Sequence, residues 1–260
     1  MSPKYYLWLV VMGAALLLLA PLPAFAQSGG DSELIISTDR PSVANSSIVV
    51  PKGVFQLENG LLVSRLQGQT ILDLPESSLR FGLLKTTELR LALPDYFDTV
   101  GRSASGFGDT AIGVKQQLGP IHNLNLSPIF FVSLPTGAQA ISSHGYDPGL
   151  QFPWSRSLSS NWTASGQAAF YWPTQAGSRN FTSEATFVLD RQLTKPWDAF
   201  VEYAGDFPAR GGSRQILHFG SSYKLAPRHQ IDFQAAAGLS NSAADYFIGA
   251  GYSFFFVIAK

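Results

Sequence analysis

The side chains of this sequence that could perform chemistry are charged residues set at every second position among apolar ones. In the stretch LRFGLLKTTELRLAL, residues 79–93, the charged Arg80, Glu88 and Arg90 alternate with leucine and phenylalanine. Side chains of an extended strand point alternately to its two faces. The alternation therefore predicts strands with one apolar face and one charged face, and it leaves open which face meets water.

The same alternation along the whole chain collects a set of ionisable side chains on the charged face. They are Glu58, Arg80, Glu88, Arg90, Asp109, Lys115, Glu184, Asp190, Glu202, His218, Lys224 and Asp232. Such charges can select solutes that pass through a pore, or they can neutralise one another and fill an interior. Both alternatives stand, with filling favoured. Because the members between residues 80 and 115 fall on three consecutive strands, we expect them to form one patch.

Catalytic chemistry has little support in these residue types. The chain has no cysteine and no G-x-S-x-G nucleophile motif. Its four histidines are dispersed, and neither H-E-x-x-H nor another metal-ligand spacing occurs. His218 alone lies in the middle of a strand on the charged face, where a hydrogen-bonded filler is more usual than a base. We therefore predict no catalytic residue, metal or cofactor, and a hydrolase is the weakest alternative.

The elements that must position these side chains are twelve predicted strands. Period-two alternation places them at 53–66, 71–84, 86–97, 107–118, 122–135, 147–158, 161–172, 180–193, 197–207, 213–226, 229–240 and 244–256. Connections after even-numbered strands are short, and most of those after odd-numbered strands are longer. An even number of such strands is typical of an outer-membrane barrel. The predicted fold is all-β, a transmembrane antiparallel β-barrel of about twelve strands over residues 53–260, with both termini periplasmic.

In a barrel that spans a bilayer, the apolar face of each strand meets lipid and the charged face meets the lumen. Leucines such as Leu79 and Leu89 then face lipid, while Arg80 and its charged neighbours face the lumen. A basic side chain turned to the bilayer centre costs about 2–4 kcal/mol, so the register is firmly set. Aromatic residues that we expect at the two membrane interfaces are Trp162, Trp172, Trp197 and Tyr246.

The overall composition agrees with an exported membrane protein. The 18 basic and 18 acidic side chains cancel, which argues against a nucleic-acid partner. Charged residues make up 14% of the chain, against about 25% in soluble domains. Residues 1–26 have the pattern of a secretory signal peptide, with cleavage after Ala26. Beyond it, no apolar stretch has the roughly 18 residues of a membrane helix.

Two features do not follow the strand pattern. Residues 27–52 are polar and lack alternation, so we predict an N-terminal periplasmic lead segment. It is either a disordered tail or a piece folded into the lumen, and the tail is favoured. Pro75, Pro128 and Pro153 fall inside predicted strands, where each removes a ladder donor. We expect bulges or strand ends at these prolines.

Several stretches of the chain resemble a known protein family. They are TDRPSVANSSIVVPKGVFQLENG (38–60), ESSLRFGLLKTTELRL (76–91), GFGDTAIGVKQQL (106–118), SLPTG (133–137), GYDPGLQFPWSRSLSSNW (145–162), EYAGDFP (202–208) and FIGAGYSFFF (247–256). In order along the mature chain, they resemble a bacterial outer-membrane "transporter" family named for the putative meta-pathway of phenol degradation. The resemblance implies a membrane β-barrel of Gram-negative bacteria that passes small, often aromatic, compounds. It supplies no functional residues. One departure is that Phe256 is followed by four more residues, whereas such barrels tend to end on an aromatic residue.

We therefore expect a porin-like barrel that passes a small aromatic or hydrophobic solute through a polar lumen. Its expected partners are outer-membrane lipid, the solute and the barrel-assembly machinery. The alternative is a structural or surface-interaction barrel with a plugged lumen.

Overall fold

The computed structural model describes residues 34–101 and 105–258. The predicted signal peptide and its cleavage site lie outside the described residues. No helix of the length and apolarity needed to cross a membrane occurs in the described part of the chain.

The described residues form 18 β-strands. They are β1 (Val54–Leu66), β2 (Gln69–Leu74), β3 (Ser78–Gly82), β4 (Thr87–Ala92), β5 (Tyr96–Thr99), β6 (Ser105–Phe107), β7 (Thr110–Gln116), β8 (Asn125–Leu126), β9 (Ile129–Leu134), β10 (Asp147–Ser157), β11 (Trp162–Tyr171), β12 (Thr174–Gln175), β13 (Ser178–Arg179), β14 (Thr182–Thr194), β15 (Trp197–Pro208), β16 (Arg214–Ala226), β17 (His229–Gly238) and β18 (Tyr246–Val257).

All of these strands except the small hairpin β12–β13 belong to one antiparallel sheet that closes on itself. β1 pairs with β18 over a register that runs from Val54 opposite Val257 to Arg65 opposite Tyr246. Four strands of the barrel are interrupted, so that each is made of two shorter strands. These are β2 with β3, β4 with β5, β6 with β7, and β8 with β9. The sheet is therefore a closed barrel of twelve strands, which confirms the predicted fold.

The interruptions follow the prolines. Pro75 separates β2 from β3, and Pro128 lies between β8 and β9. Pro153, by contrast, lies inside the continuous strand β10, where neither a bulge nor a strand end occurs. The register continues unchanged from Gln151 opposite Ile129 to Trp154 opposite Leu126. Pro153, which has no N–H to donate, thus lies opposite the gap between β8 and β9 at Pro128. A single break in the ladder therefore accommodates both prolines.

The two faces of the barrel wall are the reverse of those of a soluble protein. Outward apolar side chains are open to the surroundings, with Ile112 47%, Phe219 49% and Phe233 59% exposed. Inward charged side chains such as Arg80 and Glu88 are fully buried. An apolar outer surface of this extent is the surface that acyl chains cover in outer-membrane barrels.

We call one end of the barrel the turn end, because it carries most of the short connections, such as residues 83–86. The opposite end is the loop end. Trp162 and Trp197 lie at the turn end, and both are partly exposed. Trp172 and Tyr246 lie at the loop end. The assignment of these aromatic residues to the two membrane interfaces stays a prediction.

The exposed outer face supports a direct test of lipid contact. Replacing Ile112 in the middle of β7 with arginine is expected to lower the free energy of unfolding by about 2–4 kcal/mol, because the charge would enter hydrocarbon. Leu239→Arg, just beyond β17 at the loop end, is the matched control and should cost about 0–1 kcal/mol. Denaturant unfolding from lipid vesicles measures both values. Equal costs at the two positions would show that Ile112 does not face lipid.

Candidate functional site

The middle of the lumen is occupied by residues 36–50, which we call the luminal segment. Its backbone N–H groups donate to side chains on opposite sides of the barrel, among them Glu58 on β1, Glu88 on β4 and Glu202 on β15. It also bonds to Gln167 on β11. A segment that contacts the inner faces of strands all around a closed sheet lies inside it. Residues 36–50 therefore lie inside the barrel, and the assignment of residues 27–52 as a periplasmic lead segment stays a prediction.

Arg80 forms the centre of the polar network around the luminal segment. Its Nε and Nη2 donate to the two carboxylate oxygens of Glu88, both at 2.8 Å, and its Nη1 donates to Glu58 Oε1 at 2.8 Å. Its Nη groups also donate to the carbonyl oxygens of Ser37 and Ile48, each at 3.2 Å. Bidentate pairing of this kind is the strong, directional use of a guanidinium. One buried arginine thus joins two wall carboxylates to both ends of the luminal segment.

Asp39 is the acidic side chain that the luminal segment adds to this network. Its Oδ1 accepts from Ser46 N at 2.8 Å and lies 3.4 Å from Lys115 Nζ, and its Oδ2 pairs with Arg90. Asp39 lies outside the membrane-spanning strands. Burial raises its pKa, but the positive charges of Arg80, Arg90 and Lys115 outweigh burial and hold the pKa below the ordinary value.

The charges of this network balance. Asp39, Glu58 and Glu88 face Arg80, Arg90 and Lys115, so three acidic groups meet three basic ones. Buried charges are tolerated where they are paired and hydrogen-bonded. This network of six side chains therefore fills its part of the lumen without a net charge.

A second anchor of the luminal segment is the pair of Glu202 on β15 and His218 on β16. The two oxygens of Glu202 accept hydrogen bonds from the N–H groups of Val43 and Ala44, both at 2.9 Å. His218 Nδ1 donates to Glu202 Oε2 at 2.7 Å, and both side chains are fully buried. The histidine therefore fixes the carboxylate that holds the segment.

A third anchor is Arg40, which reaches the wall through a gap between side chains. Its guanidinium pairs with Glu76 at 2.7 Å and with Asp232 at 3.2 Å. Gly60 and Gly251 lie opposite each other on β1 and β18. A Cβ built on Gly60 would lie 2.2 Å from Arg40 Cζ, and one on Gly251 would lie 2.4 Å from Arg40 Nε. The two glycines thus leave the space that the arginine fills.

Neutral polar contacts complete the attachment of the segment. Asn45 Nδ2 donates to Gln167 Oε1 at 2.9 Å, and Asn45 Oδ1 accepts from Arg90 Nη2 at 2.8 Å. The hydroxyl groups of Ser47 and Ser155 lie 2.7 Å apart. Asn45 and Ser47 therefore attach the segment to the side of the barrel formed by β10 and β11.

Apart from Asp109, the predicted lumen-lining residues fall into three groups. Those that contact the luminal segment directly are Glu58, Arg80, Glu88, Arg90, Lys115, Glu202 and Asp232, and His218 acts through Glu202. Lys224 instead pairs with Asp198 at 2.6 Å near the turn end, where Asp190 also lies. Glu184 lies nearer the loop end and bonds to Gln167 and Tyr171.

The expected single patch between residues 80 and 115 needs one correction. Asp109 does not join it, because its carboxylate accepts from the N–H groups of Gly137 at 2.8 Å and Ser143 at 2.9 Å in the loop after β9. Lys115 lies six positions after Asp109, a distance of about 20 Å along the strand. Asp109 therefore fixes a loop at the loop end, while the other four residues hold the luminal segment.

Two adjoining cavities lie on the loop side of the luminal segment, and together we call them the vestibule. The larger has a volume of about 300 Å³ and is lined by residues that include Phe131, Tyr171 and Glu184. The smaller, of about 220 Å³, reaches Val43 of the luminal segment. Glu184, Asp206 and Arg214 line both cavities. The vestibule is thus a site of solute size that ends on the luminal segment.

Comparison with solved structures finds the same fold. An outer membrane channel from Pseudomonas putida F1 superposes with a TM-score of 0.65 at 11% identity, covering 81% of this chain and 98% of the other. The NanC porin gives a TM-score of 0.56 at 8% identity, covering 77% and 98%. The KdgM porin gives 0.52 at 11% identity, covering 77% and 99%. The chain accordingly has the fold of an outer-membrane β-barrel.

Comparison by sequence identifies the family. No curated protein matches the chain. The family model described as "Putative MetA-pathway of phenol degradation" matches residues 38–256, so the match takes in most of the luminal segment as well as the barrel. The resemblance noted in the sequence is confirmed: the chain belongs to this family.

Proposed function

We propose that this protein is an outer-membrane channel for small solutes, aromatic or hydrophobic ones among them, whose lumen is closed by a displaceable luminal segment. The observation that carries the proposal is that a separate stretch of chain fills the middle of the lumen. Solved structures with this fold include a channel and two porins, and the family is named for phenol degradation. Both findings support the proposal.

The way in which the luminal segment is attached favours displacement. Residues 36–50 contain no strand or helix. Among the described residues of the segment, one backbone-to-backbone hydrogen bond reaches the barrel, from Ile36 N to Pro227 O at 2.8 Å. The other attachments run through side chains. The segment can therefore leave without breaking the ladder of the barrel, and water can replace its partners.

A reversible disulfide tests whether solute passage needs this displacement. The chain has no cysteine, and the Ser47 and Ser155 hydroxyl groups are 2.7 Å apart, so Ser47→Cys with Ser155→Cys joins the segment to β10. We expect proteoliposomes with the reduced variant to swell in small neutral solutes, and the oxidised variant to swell no faster than protein-free liposomes. Ser47→Cys alone, treated with the same oxidant, is the control and should swell as the reduced pair does.

The other outcomes of this experiment separate the alternatives. If the reduced and oxidised proteins both behave like protein-free liposomes, the structural barrel with a plugged lumen replaces the channel. That alternative is favoured by the many hydrogen bonds and ion pairs between the segment and the barrel wall. If both pass solute equally, the luminal segment is not what closes the path.

The hydrolase alternative is not favoured by the geometry around its candidate base. His218 is fully buried, and its Nδ1 is engaged with Glu202 beneath the luminal segment. A base must reach the proton that it removes from a substrate. His218 is therefore assigned to holding the segment rather than to catalysis.

A further inference from the structure

The vestibule has an apolar aromatic surface on one side. Phe131 on β9, Gly149 on β10 and Tyr171 on β11 lie opposite one another in the sheet register. Because a Cβ on Gly149 would lie 2.2 Å from Phe131 Cζ and 3.0 Å from Tyr171 Cδ1, both rings extend over the glycine. Their centroids are 5.9 Å apart at an interplanar angle of 57°. The rings therefore form a continuous wall that can contact one small apolar group.

The same vestibule carries an excess of negative charge. Its carboxylates belong to Asp147, Glu184 and Asp206. Asp147 pairs with Arg179, and Asp206 pairs with Arg214 at 3.0 Å. Among the described residues, Glu184 has no ion-pair partner. Three acidic groups thus face two basic ones, and one negative charge remains.

Glu184 is held in position to receive a ligand. Its Oε1 accepts from Gln167 Nε2 at 2.7 Å, and its Oε2 accepts from the Tyr171 hydroxyl at 3.1 Å. It lines both cavities. A carboxylate has about four lone-pair sites, so both oxygens retain acceptor capacity. The uncompensated carboxylate therefore stands beside the Tyr171 ring.

We propose that the vestibule binds a small organic ammonium ion with an apolar or aromatic body. The ammonium group would donate to Glu184, a charge-assisted hydrogen bond, and lie against the faces of Tyr171 and Phe131, which attract cations. The body of the ligand would fill the rest of the larger cavity, about 300 Å³. This inference rests on the proposed function only in taking the vestibule as the place where a solute is received.

Three probes that differ mainly in charge test the proposal. Benzylamine, benzyl alcohol and benzoate are titrated calorimetrically into the full chain in detergent at about pH 8, where amines are protonated and carboxylates ionised. We expect benzylamine to bind about tenfold or more tightly than benzyl alcohol, and benzoate to bind most weakly. Glu184→Gln should abolish this preference. Asp98→Asn, which removes a carboxylate of the same barrel end that does not line the vestibule, should preserve it.

The outcomes are distinct from those of the disulfide experiment. Equal affinities for the three probes, no binding of any of them, or an unchanged preference in Glu184→Gln would each overturn the ammonium site. Binding of benzylamine by a protein that never passes solute would sustain the site and refute the channel. Passage of solute by a protein without the amine preference would support the channel and refute the ammonium site.

Discussion

Replacing Arg80 with alanine is expected to lower the free energy of unfolding by about 3–5 kcal/mol, because the carboxylates of Glu58 and Glu88 would stay buried without their partner. Arg80 and both carboxylates are almost completely buried, so water does not readily take over its role in the closed protein. The variant should also release the luminal segment, since Arg80 binds the carbonyl oxygens of Ser37 and Ile48. Denaturant unfolding from vesicles and the frequency of open events in planar bilayers measure the two effects.

Two further variants make the Arg80 result interpretable. Arg80→Lys keeps the charge and loses the bidentate fork, so an intermediate loss is expected. Arg191→Ala removes an exposed arginine that stacks 5.2 Å from the Trp162 ring centroid, and should cost no more than about 1 kcal/mol. If Arg80→Ala were as stable and as closed as the Arg191 variant, the central place of Arg80 in the network would be wrong.

Most of the barrel could be predicted from the sequence because the pattern that defines each strand lies within a few neighbouring residues. Along each strand the alternation of apolar and charged side chains has only one arrangement that keeps Arg80 and Glu88 out of lipid. The twelve strands and their antiparallel order followed from that pattern and from the loop lengths. Pro153 was misread, because a proline in a strand is tolerated where the neighbouring strand is itself interrupted, here at Pro128. That compensation depends on a residue 25 positions away and leaves no local trace.

The site was predictable only in part, because half of it comes from a segment without periodicity. The alternation along the strands identified Arg80, Glu88, Lys115 and Glu202 as inward residues. It did not identify the segment that they hold. Asp39, Arg40 and Asn45 had no distinguishing pattern. One signal could have pointed to them. Small residues such as Gly60 and Gly251 on an inner face leave space that some other group must fill, here the Arg40 guanidinium.

The two halves of the lumen favour different roles for their charged side chains, filling the interior in one and selecting solutes in the other. In the turn-end half, three acidic and three basic side chains balance around Asp39, which is the arrangement of a filled interior. Near the loop end, Glu184 has no ion-pair partner among the described residues and borders the vestibule. The proposed selection of solutes is therefore located above the luminal segment and not along the whole length of the barrel.

Deleting residues 36–50 is expected to convert a closed barrel into an open one. If the contacts to Arg80, Glu202 and Asp232 hold the segment by about 3 kcal/mol, the open fraction of the full chain is roughly one in a hundred, and the deletion raises the mean current about a hundredfold. The barrel itself should persist, because the segment contributes no strand to the sheet. A variant with Gly/Ser residues in place of 36–50 keeps the chain length and loses the contacts, so it should conduct nearly as well as the deletion.

The closing role of the segment is tested by single-channel current in a planar bilayer, compared between the full chain and the chain without residues 36–50. If the luminal segment closes the lumen, the full chain is mostly silent and the deletion variant conducts steadily, while both proteins run as the same heat-modifiable barrel on a gel. Identical currents from two equally well-folded proteins, whether both silent or both open, would contradict it.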